Sequence, residues 1–178
     1  MRFTPTPIVG AVVVDIDPIE DERGGFARLF CPRAFAAAGH PFSPAQTSLS
    51  RNRAAFTLRG MHFQPAPFDE GKLVRVTRGR IFDVVVDLRP KSPTFRQWTG
   101  VELSAETGRA LLIGRGLAHG FLTLEADTDV LYEIDRFFEP GKGDGVRWND
   151  PAFGIDWPAP PAVLAPKDAA WPDWTPAP

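Results

Sequence analysis

Residues 57–88, TLRGMHFQPAPFDEGKLVRVTRGRIFDVVVDL, contain three segments with the apolar patterns of β-strands. The first segment, 57–64, alternates between polar and apolar residues and is followed by a break that contains two prolines. The second and third, 72–77 and 80–88, flank Arg78-Gly79, a pair typical of a hairpin turn. This stretch therefore predicts a β-hairpin preceded by one further strand.

Similar short segments continue on both sides of that stretch. Frequent turn residues, 19 prolines and 16 glycines, separate them and leave little room for long helices. One short helix is predicted at 32–38, because Pro32 suits a first helical turn and Gly39 suits a helix end. Many short strands at regular spacing favour an all-β sandwich or barrel. The additional strands are expected at 8–17, 26–30, 42–50, 97–103, 110–113, 117–124 and 129–134.

The C-terminal part of the chain has a different composition. From residue 139 it resembles a loop, and 158–178 is rich in proline and alanine. This last segment also contains Trp171 and Trp174, which disordered tails rarely carry. We therefore expect the tail to pack against the body of the protein.

Length, charge and cysteine content narrow the classes of protein to consider. A chain of 178 residues predicts a single domain, 1–178. The net charge of -2 argues against a nucleic-acid-binding protein, which would show a basic excess. Cys31 is the only cysteine, so no intramolecular disulfide can form, and no stretch approaches the roughly 20 apolar residues of a membrane span. These features together predict a cytoplasmic protein that does not bind membranes.

Four polar side chains of types that take part in binding and proton transfer lie close together in residues 57–72. In a regular strand Arg59 and Met61 would face one side, and His62 and Gln64 the other. A guanidinium that binds phosphate, an imidazole that moves protons and the ammonium of Lys72 suit a reaction of an anionic carbonyl compound. A surface strand with scattered polar residues is the other interpretation of the same pattern.

The remaining candidates favour acid–base chemistry over metal or nucleophilic chemistry. The chain has three histidines and no H-x-H pair, so a metal site with three or more ligands is not expected. It also lacks the G-x-S-x-G, P-loop and G-x-G-x-x-G motifs. Tyr132 is the only tyrosine beside 14 phenylalanines, which indicates a required hydroxyl, although a core tyrosine explains it equally well. His119 and Asp168 are further acid–base candidates, whereas His40 has a structural role in our interpretation.

The chain resembles the dTDP-4-dehydrorhamnose 3,5-epimerase family, and the resemblance extends in order over nearly its whole length. RGMHFQ followed by KLVRV and by G-x-AHGF is its most specific part. The resemblance implies a cupin-type β jelly roll that forms a homodimer. It also implies a reaction without a cofactor or metal. The matching stretches are DERGGF (21–26), LRGMHFQ (58–64), KLVRVTRGRIFDVVVDLRPKSPTF (72–95), LSAE (103–106), GLAHGF (116–121), LYEI (131–134) and RWNDPAFGIDWP (147–158).

The resemblance also implies a role for each matching residue. The substrate would be a nucleoside-diphosphate 4-keto-6-deoxy sugar, in which the ketone acidifies the hydrogens on C3 and C5. His62 would be the general base, with Asp168 as the carboxylate that orients it. Lys72 would stabilise the enolate oxygen, and Tyr132 would return a proton on the opposite face.

Substrate binding would involve a second group of residues, again by resemblance. Arg59, Gln46 and, from the partner subunit, Arg23 would bind the diphosphate. Phe26 would stack on the nucleotide base, and His119 would line the sugar pocket.

Four positions depart from the family pattern around the nucleotide. The family's usual glutamate, asparagine, second tyrosine and second glutamate are replaced by Arg28, Ser48, Phe138 and Gly143. We therefore expect an altered preference for the nucleotide or the sugar. A C3-only epimerase, a 3,4-ketoisomerase and a non-catalytic sugar-nucleotide-binding protein are the alternatives.

Overall fold

Two β-sheets form most of the protein in a computed structural model that describes residues 1–175. A third, two-stranded sheet and two short helices complete it. The elements are β1 (Arg2–Pro5), β2 (Ala11–Asp15), β3 (Ile19–Asp21), β4 (Gly24–Phe26), α1 (Pro32–Ala37), β5 (Gln46–Asn52), β6 (Thr57–Phe63), β7 (Lys72–Arg78), β8 (Arg80–Asp87), β9 (Trp98–Ser104), β10 (Ala110–Ile113), β11 (Leu117–Thr123), β12 (Thr128–Ile134), β13 (Asp144–Gly145), β14 (Val163–Leu164) and α2 (Pro166–Ala169).

The two large sheets share one hydrophobic core. Sheet 1 has the strand order β1-β2-β10-β7-β12-β5, and sheet 2 has the order β13-β6-β11-β8-β9, with β14 paired to β6. Val74 and Val130 of sheet 1 meet Val85 and Phe121 of sheet 2 in a single buried cluster. This arrangement confirms the expected all-β, cupin-type jelly roll with a short helix in the N-terminal half.

Other segments cover the outer faces of both sheets. Phe35 of α1 is fully buried against Val12 and Val14 of sheet 1. On sheet 2, Trp174 packs against Phe95 and Phe153, as expected for the tail. The end of the predicted tail, 176–178, lies outside the described residues. Neither helix in residues 1–175 is long and apolar enough to cross a membrane.

Three predicted strands have different boundaries in the structure. The strand expected at 8–17 begins at Ala11, because Ala11 N–H donates to Ile8 O in a turn before it. The strand expected at 26–30 is wrong, since Gly24–Phe26 pairs with Ile19–Asp21 and residues 27–30 are not in a strand. The strand expected at 42–50 begins only at Gln46, because Pro44 has no N–H for a sheet.

The alternation expected in β6 is interrupted by a bulge. His62 lies opposite His119, but Arg59, three residues earlier, lies opposite Phe121, only two residues along β11. The extra residue brings Arg59 and His62 onto the same side of the sheet, so the prediction that they face opposite sides is wrong. Gly60 permits this close approach, because a Cβ there would lie 2.5 Å from Gly120 Cα.

Candidate active site

A cavity of about 410 Å³ opens between the two sheets. Strands β5, β7 and β12 form one wall, and β6 and β11 form the other. Residues from loops and from α2 complete its rim. The lining residues are Ser48, Ser50, Arg59, His62, Phe63, Gln64, Glu70, Lys72, His119, Tyr132, Ile134, Phe138, Gly143, Asp144 and Lys167.

Strand register explains why polar side chains from distant parts of the chain meet in this cavity. In sheet 2, His62 and His119 are direct partners, and in sheet 1 Tyr132 is the partner of Ser48. Directly opposed residues of antiparallel strands point to the same face. Lys72 lies opposite Ile134, two residues along β12 from Tyr132, so it faces the same side as Tyr132.

His62 is oriented by a carboxylate from the C-terminal helix. Its Nε2 lies 2.8 Å from Oδ1 of Asp168, across a sequence separation of 106 residues. The Asp168 side chain is 7% exposed and that of His62 is 47% exposed, so the imidazole faces the cavity while the carboxylate lies behind it. Oδ2 of Asp168 also accepts the Gly60 N–H at 3.2 Å, which ties α2 to the bulge in β6.

A second imidazole–carboxylate pair lies deeper, beside Tyr132. His119 Nε2 lies 2.6 Å from Oδ1 of Asp83, which is fully buried. The rings of His119 and Tyr132 meet edge to face, with centroids 5.8 Å apart. Burial raises the pKa of the Asp83 carboxyl, although the neighbouring His119 acts in the opposite direction.

The pKa of Tyr132 is raised as well. Burial is the largest cause, and the nearby Asp83 carboxylate acts in the same direction. Both effects disfavour the phenolate, so Tyr132 stays a neutral proton donor well into alkaline solution. A half-exposed imidazole on one wall and a protonated phenol on the other can remove a proton from one face of a bound ring and return it to the opposite face.

Lys72 is held by a carboxylate that the sequence analysis did not identify. Its Nζ lies 2.5 Å from Oε1 of Glu70, and the two side chains are only 11% and 10% exposed. The other Glu70 oxygen accepts a hydrogen bond of 2.6 Å from Nε2 of Gln64. The ammonium proposed for enolate stabilisation therefore has a fixed place in the cavity wall.

Two of the expected diphosphate ligands, Arg59 and Gln46, lie at the cavity or its rim. Arg59 Nε donates to Asn52 Oδ1 at 2.8 Å, which holds the guanidinium between this cavity and a larger groove of about 800 Å³. Gln46 Oε1 accepts the N–H of Phe138, a cavity-lining residue. Arg75 of β7 does not line the cavity and donates to the carbonyl of Leu29.

The structure does not bring Arg23 and Phe26 to the cavity of their own chain. Both belong to the β3–β4 hairpin, where Arg23 pairs with Asp21. Phe26 is 76% exposed and Ile19, its partner across the hairpin, is 75% exposed. An exposed apolar pair of this kind favours contact with another protein surface.

Three of the four positions that depart from the family pattern line the cavity: Ser48, Phe138 and Gly143. Phe138 is 62% exposed, and a Cβ at Gly143 would meet nothing within 4 Å. Arg28 lies outside the cavity lining, shortly after the hairpin.

Sequence reasoning missed Asp83, Glu70 and Lys167. Asp83 had a usable signal, because a lone carboxylate in the apolar run IFDVVV needs a partner when buried. Glu70 lies two residues before Lys72, but its role depends on loop geometry. Within residues 1–175 there is no group of three or more His, Cys, Asp or Glu side chains that could hold a metal ion.

Comparisons with known proteins agree on one family. The model of the family described as dTDP-4-dehydrorhamnose 3,5-epimerase matches residues 5–175. The chain is 42% identical to the dTDP-4-dehydrorhamnose 3,5-epimerase of Sinorhizobium fredii, over 97% of this chain and 89% of that protein.

Solved structures show the same relationship. The Bacillus anthracis dTDP-4-dehydrorhamnose 3,5-epimerase with TDP and pyrophosphate bound has a TM-score of 0.93 and 38% identity, over 96% of this chain and 98% of that one. A 3′-monoepimerase from Streptomyces bikiniensis in complex with dTDP-quinovose has a TM-score of 0.88 and 33% identity, over 95% of this chain and 86% of that one. The chain therefore belongs to the dTDP-4-dehydrorhamnose 3,5-epimerase family.

Proposed function

We propose that this protein is an isomerase that epimerises a nucleoside-diphosphate 4-keto-6-deoxy sugar at C3, C5 or both, without a cofactor. The observation that carries the proposal is the placement of His62 and Tyr132 on opposite walls of one cavity, with His62 oriented by Asp168. Inversion of a carbon centre requires two such groups, because a single group acting on one face restores the starting configuration.

The first step is removal of a proton next to the ketone. Because Nε2 of His62 donates to Asp168, the lone pair of Nδ1 is free to take a proton from C3 or C5. The electron pair of the broken C–H bond moves onto the ketone oxygen and forms an enolate. The Lys72 ammonium stabilises this developing charge.

The second step is return of a proton to the other face. Tyr132 donates its hydroxyl proton to the carbon, and the enolate returns to the ketone with inverted configuration. The raised pKa of Tyr132, caused by burial and by Asp83, keeps the proton on the phenol until this step. Proton exchange with solvent then restores His62 and Tyr132.

We also propose a homodimer in which the β3–β4 hairpin reaches the partner's cavity. Arg59 supplies one cation for the diphosphate, and Arg23 of the partner would supply a second, since guanidinium groups bind phosphate in a bidentate manner. Phe26, which is 76% exposed, would stack on the nucleotide base. The lone Cys31 and the nucleotide-linked substrate support a cytoplasmic location.

A C3-only epimerase is the second candidate. It is favoured by the similarity to the 3′-monoepimerase of Streptomyces bikiniensis. The same base serves both reactions, and the pose of the sugar decides which carbon loses its proton. A 3,4-ketoisomerase would use the same base for C3. A non-catalytic binding protein would not need both His62 and Tyr132 in the cavity.

Proton NMR of dTDP-4-keto-6-deoxyglucose with the protein in D₂O tests the proposal directly. Deuterium at both C3 and C5 identifies a 3,5-epimerase, deuterium at C3 alone identifies a monoepimerase, and deuterium at C4 of a 3-keto product identifies a ketoisomerase. If a folded protein catalyses no exchange with dTDP-, GDP-, UDP- or CDP-linked ketosugars, the proposal is wrong.

The same assay tests the proposed change in nucleotide preference. Ser48, Phe138 and Gly143 change the hydrogen-bonding groups of the cavity. We expect weaker activity on the thymidine-linked ketosugar than on a GDP-, UDP- or CDP-linked one. Full activity on the thymidine substrate contradicts an altered preference and leaves the epimerase proposal intact.

A further inference from the structure

Glu70 is a nearly buried carboxylate in a cavity proposed to receive an anionic substrate. One of its oxygens lies 2.5 Å from Lys72 Nζ, and the other accepts the Gln64 amide at 2.6 Å. Its side chain is only 10% exposed. A negative charge in this position opposes the binding of a diphosphate sugar, so its presence calls for a compensating role.

The loop before β7 is anchored in a way that fixes Glu70. The Gly71 N–H donates to Oδ1 of Asp135 at 2.8 Å, and Arg136 donates to the carbonyl of Pro67. Both partners follow β12, the strand that carries Tyr132. The Glu70 carboxylate is therefore held relative to the cavity wall by the backbone on both of its sides.

The Lys72 ammonium lies at the end of a flexible four-carbon chain, so it needs a fixed partner such as Glu70 to stay at one position in the cavity. Lysine has three N–H groups in rotating geometry, and one bond to Glu70 leaves two for other acceptors. Electrostatic stabilisation of an enolate depends on donors that are already in place when the charge develops. The Glu70 carboxylate, which contacts Lys72 with one oxygen and accepts the Gln64 amide with the other, provides this preorganisation.

We propose that Glu70 is a positioning residue for Lys72: it holds the ammonium where the enolate oxygen forms, and its negative charge weakens substrate binding. This inference rests on the proposed function and adds to it a residue that acts through Lys72. Removal of the Glu70 charge should therefore lower kcat, because Lys72 is no longer held in place. It should also lower KM, because the repulsion between the carboxylate and the substrate is lost.

Glu70→Gln is the test variant, because it keeps the shape of the side chain and removes its charge. Asp69→Asn is the matched control, since it removes the same charge from the neighbouring position in the loop, which does not line the cavity. For Glu70→Gln we expect kcat to fall about 10-fold and KM for the nucleotide sugar to fall about 3-fold. For Asp69→Asn we expect both constants to stay within about 2-fold of wild type.

A fall in kcat with a rise in KM, or kinetic constants equal to those of Asp69→Asn, overturns the inference.

A measurement on the protein without substrate tests the contact between Glu70 and Lys72 independently of the proposed function. With ¹⁵N-labelled lysine, the Lys72 ammonium signal, assigned with Lys72→Arg, should be present in wild type and Asp69→Asn and lost in Glu70→Gln. Absence of the signal in wild type, or its persistence in Glu70→Gln, contradicts the inference. Wild-type protein that shows this signal but exchanges no ketosugar proton contradicts only the proposed function.

Discussion

Among single residues, His62 carries the largest share of the proposed chemistry. Asp168 is hydrogen-bonded to Nε2 of His62 and so orients the ring, and in the proposed mechanism Nδ1 takes the proton. The half-exposed position of the ring gives this second nitrogen access to the cavity.

Replacement of His62 by asparagine should lower the epimerisation rate by at least about 10²-fold, because the proposed mechanism assigns the first proton transfer to this residue. The measurement is deuterium incorporation from D₂O, together with circular dichroism to show that the fold is retained. His40→Asn is the control, since His40 packs against Phe3 away from the cavity. A folded His62→Asn protein with near wild-type exchange would show that another base acts.

Tyr132→Phe should separate the two halves of the reaction. The hydroxyl alone is removed, so His62 can still take a proton from the carbon and return it to the same face. We expect net epimerisation to fall about 10-fold or more beyond the loss in deuterium exchange. Product formation and exchange are measured in the same NMR experiment. Equal loss of both contradicts the role of Tyr132 as the acid.

Among the structural elements, the end of β8 depends on a buried carboxylate. The Asp87 side chain is 0% exposed and accepts hydrogen bonds from Arg89, Ser92 and Thr94. Burial alone would raise the pKa of Asp87, but these hydrogen bonds outweigh it and lower the pKa to about 2. The ionised carboxylate therefore stabilises the turn between β8 and β9 at neutral pH.

Asp87→Asn should lower the free energy of unfolding by about 2 kcal/mol at neutral pH. A depressed folded-state pKa contributes stability above the unfolded-state value, near 3.9, and that contribution is lost as the pH falls toward about 2. The difference between wild type and variant should therefore shrink below about pH 4. Urea denaturation at several pH values measures this difference in unfolding free energy, with Glu106→Gln at an exposed position as the control. A difference independent of pH would rule out an ionic origin.

At the scale of the whole molecule, the position of the β3–β4 hairpin bears on assembly. Arg23 lies outside the cavity of its own chain, and Phe26 and Ile19 are exposed beside it. If the hairpin completes the site of a second copy, each active site combines residues from two subunits.

Mixed dimers provide the test. Arg23→Ala and His62→Asn should each be nearly inactive, yet a refolded equal mixture should regain about a quarter of wild-type activity, since half the dimers are mixed and each has one intact site. Light scattering should show a dimer for every variant. No recovery in dimers shown to be mixed would mean that Arg23 acts in its own subunit, and a fully active Arg23→Ala protein would mean that Arg23 has no role.

Several features of the fold were predictable because they depend on local pattern. The strand at 110–113 and the helix that begins at Pro32 follow from alternation and turn residues, and both are present. The hairpin predicted around Gly79 is wrong, because β7 pairs with β10 and β12 in sheet 1, whereas β8 pairs with β11 and β9 in sheet 2. The boundary errors arise where a turn or a proline interrupts an apolar run. Fold class and the residue types of the candidate site therefore followed from the sequence and its family resemblance.

The spatial arrangement of the site depended on the tertiary structure. The bulge that puts Arg59 beside His62 arises from pairing with β11, and the Glu70–Lys72 contact arises from a loop anchored by Asp135. The sequence by itself determined a β jelly roll with an acid–base set of side chains. The pairing of Asp168 with His62 followed from the family resemblance. Only the tertiary structure paired Asp83 with His119 and Glu70 with Lys72, because these contacts depend on strand register and loop geometry.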